Sequence, residues 1–332
     1  MSLKQEEKTM TFLETDINEL VSANHPYRKI LELVDFKDLT KELRGCYSKL
    51  GRAGYPIETG FKTLLLQYME DLSNREAERF LEENLAGKLF CGFGLKDPTP
   101  NHTYFVDLRQ RIGTERLADL FNKVREALKH QGLIREIFTF VDATQLASKL
   151  STWEERDKAI KEGLDKFNNA VAEQVARDKE ARFGCKGKNK FWYGYKKHAS
   201  VDMTNGLIHK IAITPANVPD HQGLKNVCPR QGAVYADKGY CAKKARNEIK
   251  RRGCHSGVIL KNNMKEKDRD KDRWLTQVRM PYEGTFSKMR KRTWYLGTVK
   301  NQFEAFLEAL AFNFKRLVKI ESPPLKLVPI RG

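Results

Sequence analysis

Three carboxylates stand apart from the other acidic residues of this 332-residue chain. Asp142 follows the apolar run Ile137–Val141, and Asp237 follows Ala233–Ala236. Each therefore sits at the C-terminal end of a stretch that reads as a buried strand, where sheets present ligands and catalytic groups. Glu283 is the only acid in the basic stretch RMPYEGTFSKMRKR, residues 279–292. Carboxylates brought together repel one another unless a cation neutralises them, so the set points to divalent metal. Two Mg²⁺ ions about 4 Å apart can activate an attacking oxygen and stabilise the leaving oxygen on phosphorus, and Mn²⁺ could substitute. Asp142 would bridge both ions, with Asp237 and Glu283 each holding one. Taken singly, either aspartate also fits a strand-end turn or a helix cap, and Glu283 fits an ordinary ion pair. The chemistry rests on the three together.

The surrounding charge suits a phosphate substrate. The chain carries 61 Lys plus Arg against 43 Asp plus Glu, a net of +18 and a pI of about 9.5. Residues 1–100 hold 14 basic and 17 acidic side chains, whereas residues 241–300 hold 18 and 6. A solvated basic face is one reading of that band, and a surface that follows phosphates is the other. Lys238, Arg279, Lys288, Arg290, Lys291 and Arg292 flank the proposed acidic site and could hold phosphates it would otherwise repel. Trp192, Trp294 and Tyr295 lie among cations and fit either core packing or stacking on an unpaired base. The first hundred residues cannot bind a polyanion by bulk charge and would need a local face.

Hydrophobic residues make up 40% and aromatics 10%, which excludes wholesale disorder. No run of about 18 apolar residues is present, so no spanning helix and no membrane partner are expected. The start, MSLKQEEKTM, has no apolar core, so no secretory signal is expected and a cytoplasmic location follows. The six cysteines form no CxxC pair. Zinc on Cys228, Cys241 and Cys254 with His221 or His255 is conceivable, but reduced thiols are the default.

These residues need elements to position them. The first hundred residues read as short helices, with an apolar face over 61–72 and a capping box at Ser73–Glu76. Thr114 is placed to cap a helix that Gly132 would stop. The pattern then changes to a strand over 136–146, and Ser151–Glu154 opens a charged helical stretch to about residue 182. Residues 195–214 read as a hairpin around Thr204-Asn205-Gly206. Residues 232–240 form a strand ending in a polar turn, followed by a helix stopped by Gly253 and a strand from His255. Residues 262–275 read as a charged loop or helix start. A helix runs from about Arg279 through Arg292, and Asn301 caps a last one with apolar residues from Phe303 to Leu317 on one face. An antiparallel hairpin followed by strand–helix–strand units predicts an α/β, ribonuclease H-like mixed sheet flanked by helices, preceded by an N-terminal helical domain. The expected division is a helical, DNA-binding domain over 1–135, a catalytic domain over 136–320 with a helical insert near 151–182, and a loose tail over 321–332.

Along most of its length the sequence resembles bacterial insertion-sequence transposases of the DDE class, in the group of insertion-sequence families four and five. TFVDATQL resembles the first-aspartate strand, and VYADKGY the second-aspartate motif. YGYKKHASVD and GLIHKIAITPANVPD resemble the intervening hairpin and loop. RMPYEGTFSKMRKR, followed by KNQFEAFLEALAFNFKRL, resembles the glutamate helix and its continuation, and residues 51–85 resemble the preceding helical domain. The resemblance spans roughly residues 45–320. It implies that Asp142, Asp237 and Glu283 are the catalytic, metal-binding triad, at separations of 95 and 46 residues. It places Lys196 and His198 in a hairpin pattern and adds Lys196 to the DNA-binding set with Trp294. In the family's Tyr, Arg, Glu, Lys pattern, Arg279 and Glu283 fit, Thr276 stands at the Tyr position, Arg290 at the Lys position, and Tyr282 where Val is usual. Asp220 is a second-tier acidic candidate, behind its more ordinary reading as a loop or helix-cap residue. The implied activity is binding of inverted-repeat ends, hydrolysis to a 3′-OH and its joining to target DNA, by a homodimer or larger oligomer at the nucleoid. A nuclease or resolvase that does not join, or a silent DNA-binding derivative, are the alternatives.

Overall fold

The computed structural model describes residues 16–47, 54–148, 176–186, 190–264 and 267–327. The helix and capping box expected from Ser151 fall, up to residue 175, outside the described residues, as do residues 328–332 of the tail. The chain divides into two compact units, Met1–Ile112 with Leu317–Leu325, and Gly113–Arg316 with Lys326–Gly332.

In the first unit, short helices α1 (Ile17–Leu20), α2 (Pro26–Leu33) and α3 (Phe36–Leu39) lead to α4 (Ile57–Met69), α5 (Asn74–Glu83) and α6 (Leu85–Cys91). The predicted capping box is present: Glu76 N donates to Ser73 Oγ, and Ser73 N donates to the Glu76 carboxylate at 2.7 Å. Phe36, Phe61 and Phe90 are buried and in mutual ring contact, Phe36 against each of the others. The buried Arg109 guanidinium donates to Gln67 Oε1 and Asn74 Oδ1, so its charge is hydrogen-bonded inside the unit.

Helix α7 (His102–His130) is two helical segments, and the second follows Gly113, so the helix expected from Thr114 is present. Gly113, at φ 71° and ψ 162°, kinks it. Thr114 Oγ1 donates to the Val299 carbonyl.

The second unit is built on a six-stranded sheet. Strands β1 (Phe138–Ala147), β2 (Arg182–Lys186), β3 (Lys190–Asp202), β4 (Leu207–Pro215), β5 (Ala233–Ala236) and β6 (His255–Val258) carry β-branched and aromatic residues. Across the sheet, β3 pairs antiparallel with β4 and β1, β1 pairs parallel with β5, and β5 parallel with β6. β2 pairs with the first half of β3. This is the expected mixed, ribonuclease H-like sheet. The β3–β4 hairpin turns at Thr204–Gly206, where Gly206 takes a φ of 69°.

Helices α8 (Asp220–Val227) and α9 (Lys243–Arg251) contribute to one apolar cluster with Val141, Val234 and Ala236 of the central strands. Cys228 and Cys254 belong to the same cluster, and burial pushes the Cys228 thiol up to about 12. Helix α10 (Arg269–Ser287) packs on β1 and β5, and α11 (Thr298–Lys319) follows. Two boundaries differ from the sequence reading. α10 stops at Ser287 because the chain beyond it pairs with β1: Ala147 N donates to Lys291 O at 2.7 Å, and Thr293 N donates to Ala147 O at 2.9 Å. α11 starts at Thr298, so Asn301 lies inside it, buried, with its amide donating to the Gly297 and Tyr295 carbonyls. No described helix is long and apolar enough to cross a membrane.

Candidate active site

Register sets the two aspartates side by side. Val141 on β1 is opposite Ala236 on β5, so Asp142 and Asp237 follow at the same level on adjacent parallel strands. Side chains alternate along a strand, so Asp142 shares a face with Phe140, and Asp237 with Tyr235. That face is the one α10 covers: Phe140 meets Phe286 at 5.2 Å between ring centres, and Tyr235 meets Trp274 at 6.3 Å. The opposite face, with Val141, Val234 and Ala236, is apolar core.

Asp142 is half-buried, and one oxygen accepts from the Ala143 amide at 2.8 Å. Burial, with the charge of Asp237 added, pushes its carboxyl up to about 7 despite Lys186 and Arg279 nearby. Asp237 caps the single turn Lys238–Tyr240 by accepting from Gly239 N at 2.8 Å. The cap reading and the site reading therefore hold together for this residue.

Glu283 lies on α10, one turn from Arg279. Its carboxylate accepts from the Arg279 guanidinium at 2.9 Å, and the side chain is 51% exposed. Arg279 in turn lies over the Phe140 ring at 5.6 Å, so the pair sits on the aspartate-bearing side of the sheet. Among the described residues, no three His, Cys, Asp or Glu side chains stand close enough to hold one metal ion. The structure thus joins Asp142 and Asp237, while Glu283 is turned toward Arg279.

The basic residues divide by their partners. Lys196 is ion-paired to Asp220 at 2.8 Å and donates to Val218 O. Arg290 lies over Trp294, 3.3 Å from the ring centre, and 3.8 Å from Glu304. Lys288, Lys291 and Arg292 are exposed just beyond α10. Lys238 lines a cavity of about 460 Å³ with Lys267, Arg269, Asp272, Arg273 and Thr276. Thr276 donates back to Asp272 O, and Tyr282 to Met203 O. Trp192 is buried, its indole donating to Tyr195 O, which is the core-packing reading. His198 is buried, with Nε2 2.8 Å from Thr214 Oγ1.

Sequence reasoning passed over Lys186, Gly239 and Tyr240. The last two follow Lys238 in VYADKGY, so the motif contained them without showing what they touch.

Fold and site together define a ribonuclease H-like protein with strand-end aspartates beneath a helix carrying an arginine–glutamate pair. Residues 136–313 match the family described as Transposase DDE domain, and residues 15–111 match Transposase domain (DUF772). The chain belongs to the Transposase DDE domain family and is an insertion-sequence DDE transposase. No solved structure matches it.

Proposed function

We propose that this transposase binds the inverted-repeat ends of its element, hydrolyses a strand there and joins the resulting 3′-OH to target DNA. One observation carries the reading: two acids at matched register at the ends of adjacent parallel strands, on the sheet face crossed by the helix that bears Arg279 and Glu283. The donor set fits hard divalent cations, because carboxylate oxygens suit Mg²⁺ and the raised Asp142 carboxyl marks a place short of positive charge. Asp142 and Asp237 would hold the ions, with Glu283 as the third ligand once its carboxylate leaves Arg279. When bound, two Mg²⁺ ions supply an activated oxygen nucleophile and stabilise the leaving oxygen.

The chain's own residues do the rest. Arg279, freed from Glu283, can meet a phosphate oxygen beside Asp142. Lys238, Lys288, Lys291 and Arg292 offer further phosphate contacts, and Lys196, Arg290 and Trp294 contribute once DNA competes for their present partners. Residues 1–135 act as the end-recognition domain and residues 136–320 as the catalytic domain, with two copies synapsing two ends.

The test is an end-cleavage assay in Mg²⁺ with wild type and Asp237→Ala side by side. Cleavage plus strand-transfer products from the wild type, and end binding without cleavage from the variant, support the reading. Cleavage without joining supports a nuclease or resolvase instead. Unchanged behaviour of the variant overturns the assignment of the site.

A further inference from the structure

A fourth acid lies closer to the two aspartates than the sequence order suggests. Asp220 opens α8, directly after the loop that leaves β4. Its Oδ1 is 2.8 Å from Lys196 Nζ, which also donates to Val218 O and so ties the loop to β3. Its Oδ2 faces Gly239. A Cβ on Gly239 would stand 3.1 Å from that oxygen and 3.0 Å from Asp237 Oδ1. The two oxygens therefore lie no farther apart than twice that distance, with only a glycine between them. A hydrated Mg²⁺ readily spans such a gap, because it keeps several waters and takes only one or two carboxylates directly.

Two buried polar groups point to the same place. The Tyr240 side chain is fully buried and its hydroxyl has no hydrogen-bond partner. It sits in the field of Asp142, Asp220 and Asp237, which together with burial hold the phenol well above its ordinary value. His198 is also fully buried, its Nδ1 has no partner, and it feels the charge of Asp220. Buried polar groups are nearly always partnered by protein, water or an ion. Tyr240 near all three carboxylates and His198 near Asp220 are thus two polar groups left for a partner that the chain does not supply.

We infer that Asp220 is a further ligand-bearing carboxylate of the divalent-metal site, presenting Oδ2 beside Asp237 while Lys196 holds Oδ1. The inference rests on the metal-dependent reading above and adds a residue to it. Gly239 is part of the same device, since any side chain there would fill the space between the two acids. Lys196 holds the Asp220 carboxylate in place through Oδ1, leaving Oδ2 toward Gly239.

The test is titration of the full-length chain with Mn²⁺ alone, followed by electron paramagnetic resonance, with melting curves in EDTA to show that each variant is folded. Asp220→Asn should weaken Mn²⁺ binding about tenfold or more. Gly239→Ala, which removes no charge, should weaken it too by crowding the two oxygens. Wild-type affinity in Asp220→Asn, with binding lost in Asp237→Asn, would leave Asp220 as no more than a holder of Lys196 and overturn the inference alone. Failure of the wild type to bind Mn²⁺ would overturn both the inference and the metal-dependent function.

Discussion

Two acids of the second unit, Glu136 and Asp142, are built in opposite ways. Glu136, just before β1, is 2.7 Å from His209 Nε2, is ion-paired to Lys129 and accepts from the Arg230 amide at 2.8 Å. Burial alone would raise its carboxyl, but those partners outweigh it and hold the group well below the usual carboxylate range. Asp142, farther on and within β1, is pushed up to about 7 by burial, with the charge of Asp237 added. One acid is satisfied by the fold, and the other is left in deficit. A buried charge paired with cations is a structural joint, whereas two acids held side by side and bonded to backbone amides are a place open to a ligand.

The contrast is broken most sharply by removing each acid. Asp142→Asn should cut Mg²⁺-dependent cleavage by about 10³-fold, since several kcal/mol of transition-state stabilisation depend on the ions it holds. In EDTA the same variant should melt no lower than wild type, because it removes the cost of burying the carboxylate and its repulsion with Asp237. Glu136→Gln should do the reverse. It leaves Lys129 without its counter-charge, at a cost of about 2–3 kcal/mol, discounted because Lys129 is 24% exposed. Urea titration of both variants checks the pair of outcomes. A destabilised Asp142→Asn would mean that the site acids are structural joints as well.

The acids should also give opposite pH dependences in the metal-free protein. Glu136 is depressed in the fold, so its contribution is present above the unfolded value of about 4.5 and is lost as pH falls below it. Asp142 is raised from 3.8 to about 7, so the fold binds its proton more tightly than the unfolded chain does. Its effect is a loss of stability as pH rises from about 4 to 7, complete above that window. Melting curves in EDTA from pH 3 to 8 should therefore show Asp142→Asn gaining on wild type at pH 7 and not at pH 4, and Glu136→Gln losing its deficit below about pH 4.

How much of this is legible in the sequence follows from what each feature depends on. Asp142 and Asp237 announce themselves because each ends an apolar run, and a run of that kind is a property of neighbours in the chain. The β3–β4 hairpin is legible for the same reason, through Asn205-Gly206. The ordered sheet and the family both agree with that local reading. Asp220 beside Gly239, and Tyr240 beneath three carboxylates, depend on which strands pair and in what register. Nothing within a few residues of Asp220 encodes that. The helical segment that follows Gly113 is legible too, through Thr114 and Gly132 at its ends. The end of α10, by contrast, is hidden: the pairing of Lys291 and Thr293 with Ala147 is a long-range event that overrides a run of helix-compatible residues.

The smallest expected effect concerns Glu283 and separates its two roles. Its bond to Arg279 is an exposed i,i+4 pair, a kind worth about 0.3–0.5 kcal/mol. Glu283→Gln should therefore leave the melting temperature in EDTA within a degree or two of wild type. If Glu283 is a metal ligand in the DNA-bound enzyme, the same change should still cut cleavage by about 10²-fold or more, far beyond what so weak a pair accounts for. Arg279→Lys supplies the control, since it keeps a cation that can meet phosphate but loses the planar fork. It should weaken end binding by a few-fold without abolishing cleavage. Near-normal cleavage by Glu283→Gln would place the third carboxylate elsewhere in the site, with Glu283 then serving only to park the Arg279 guanidinium beside Asp142 until DNA arrives.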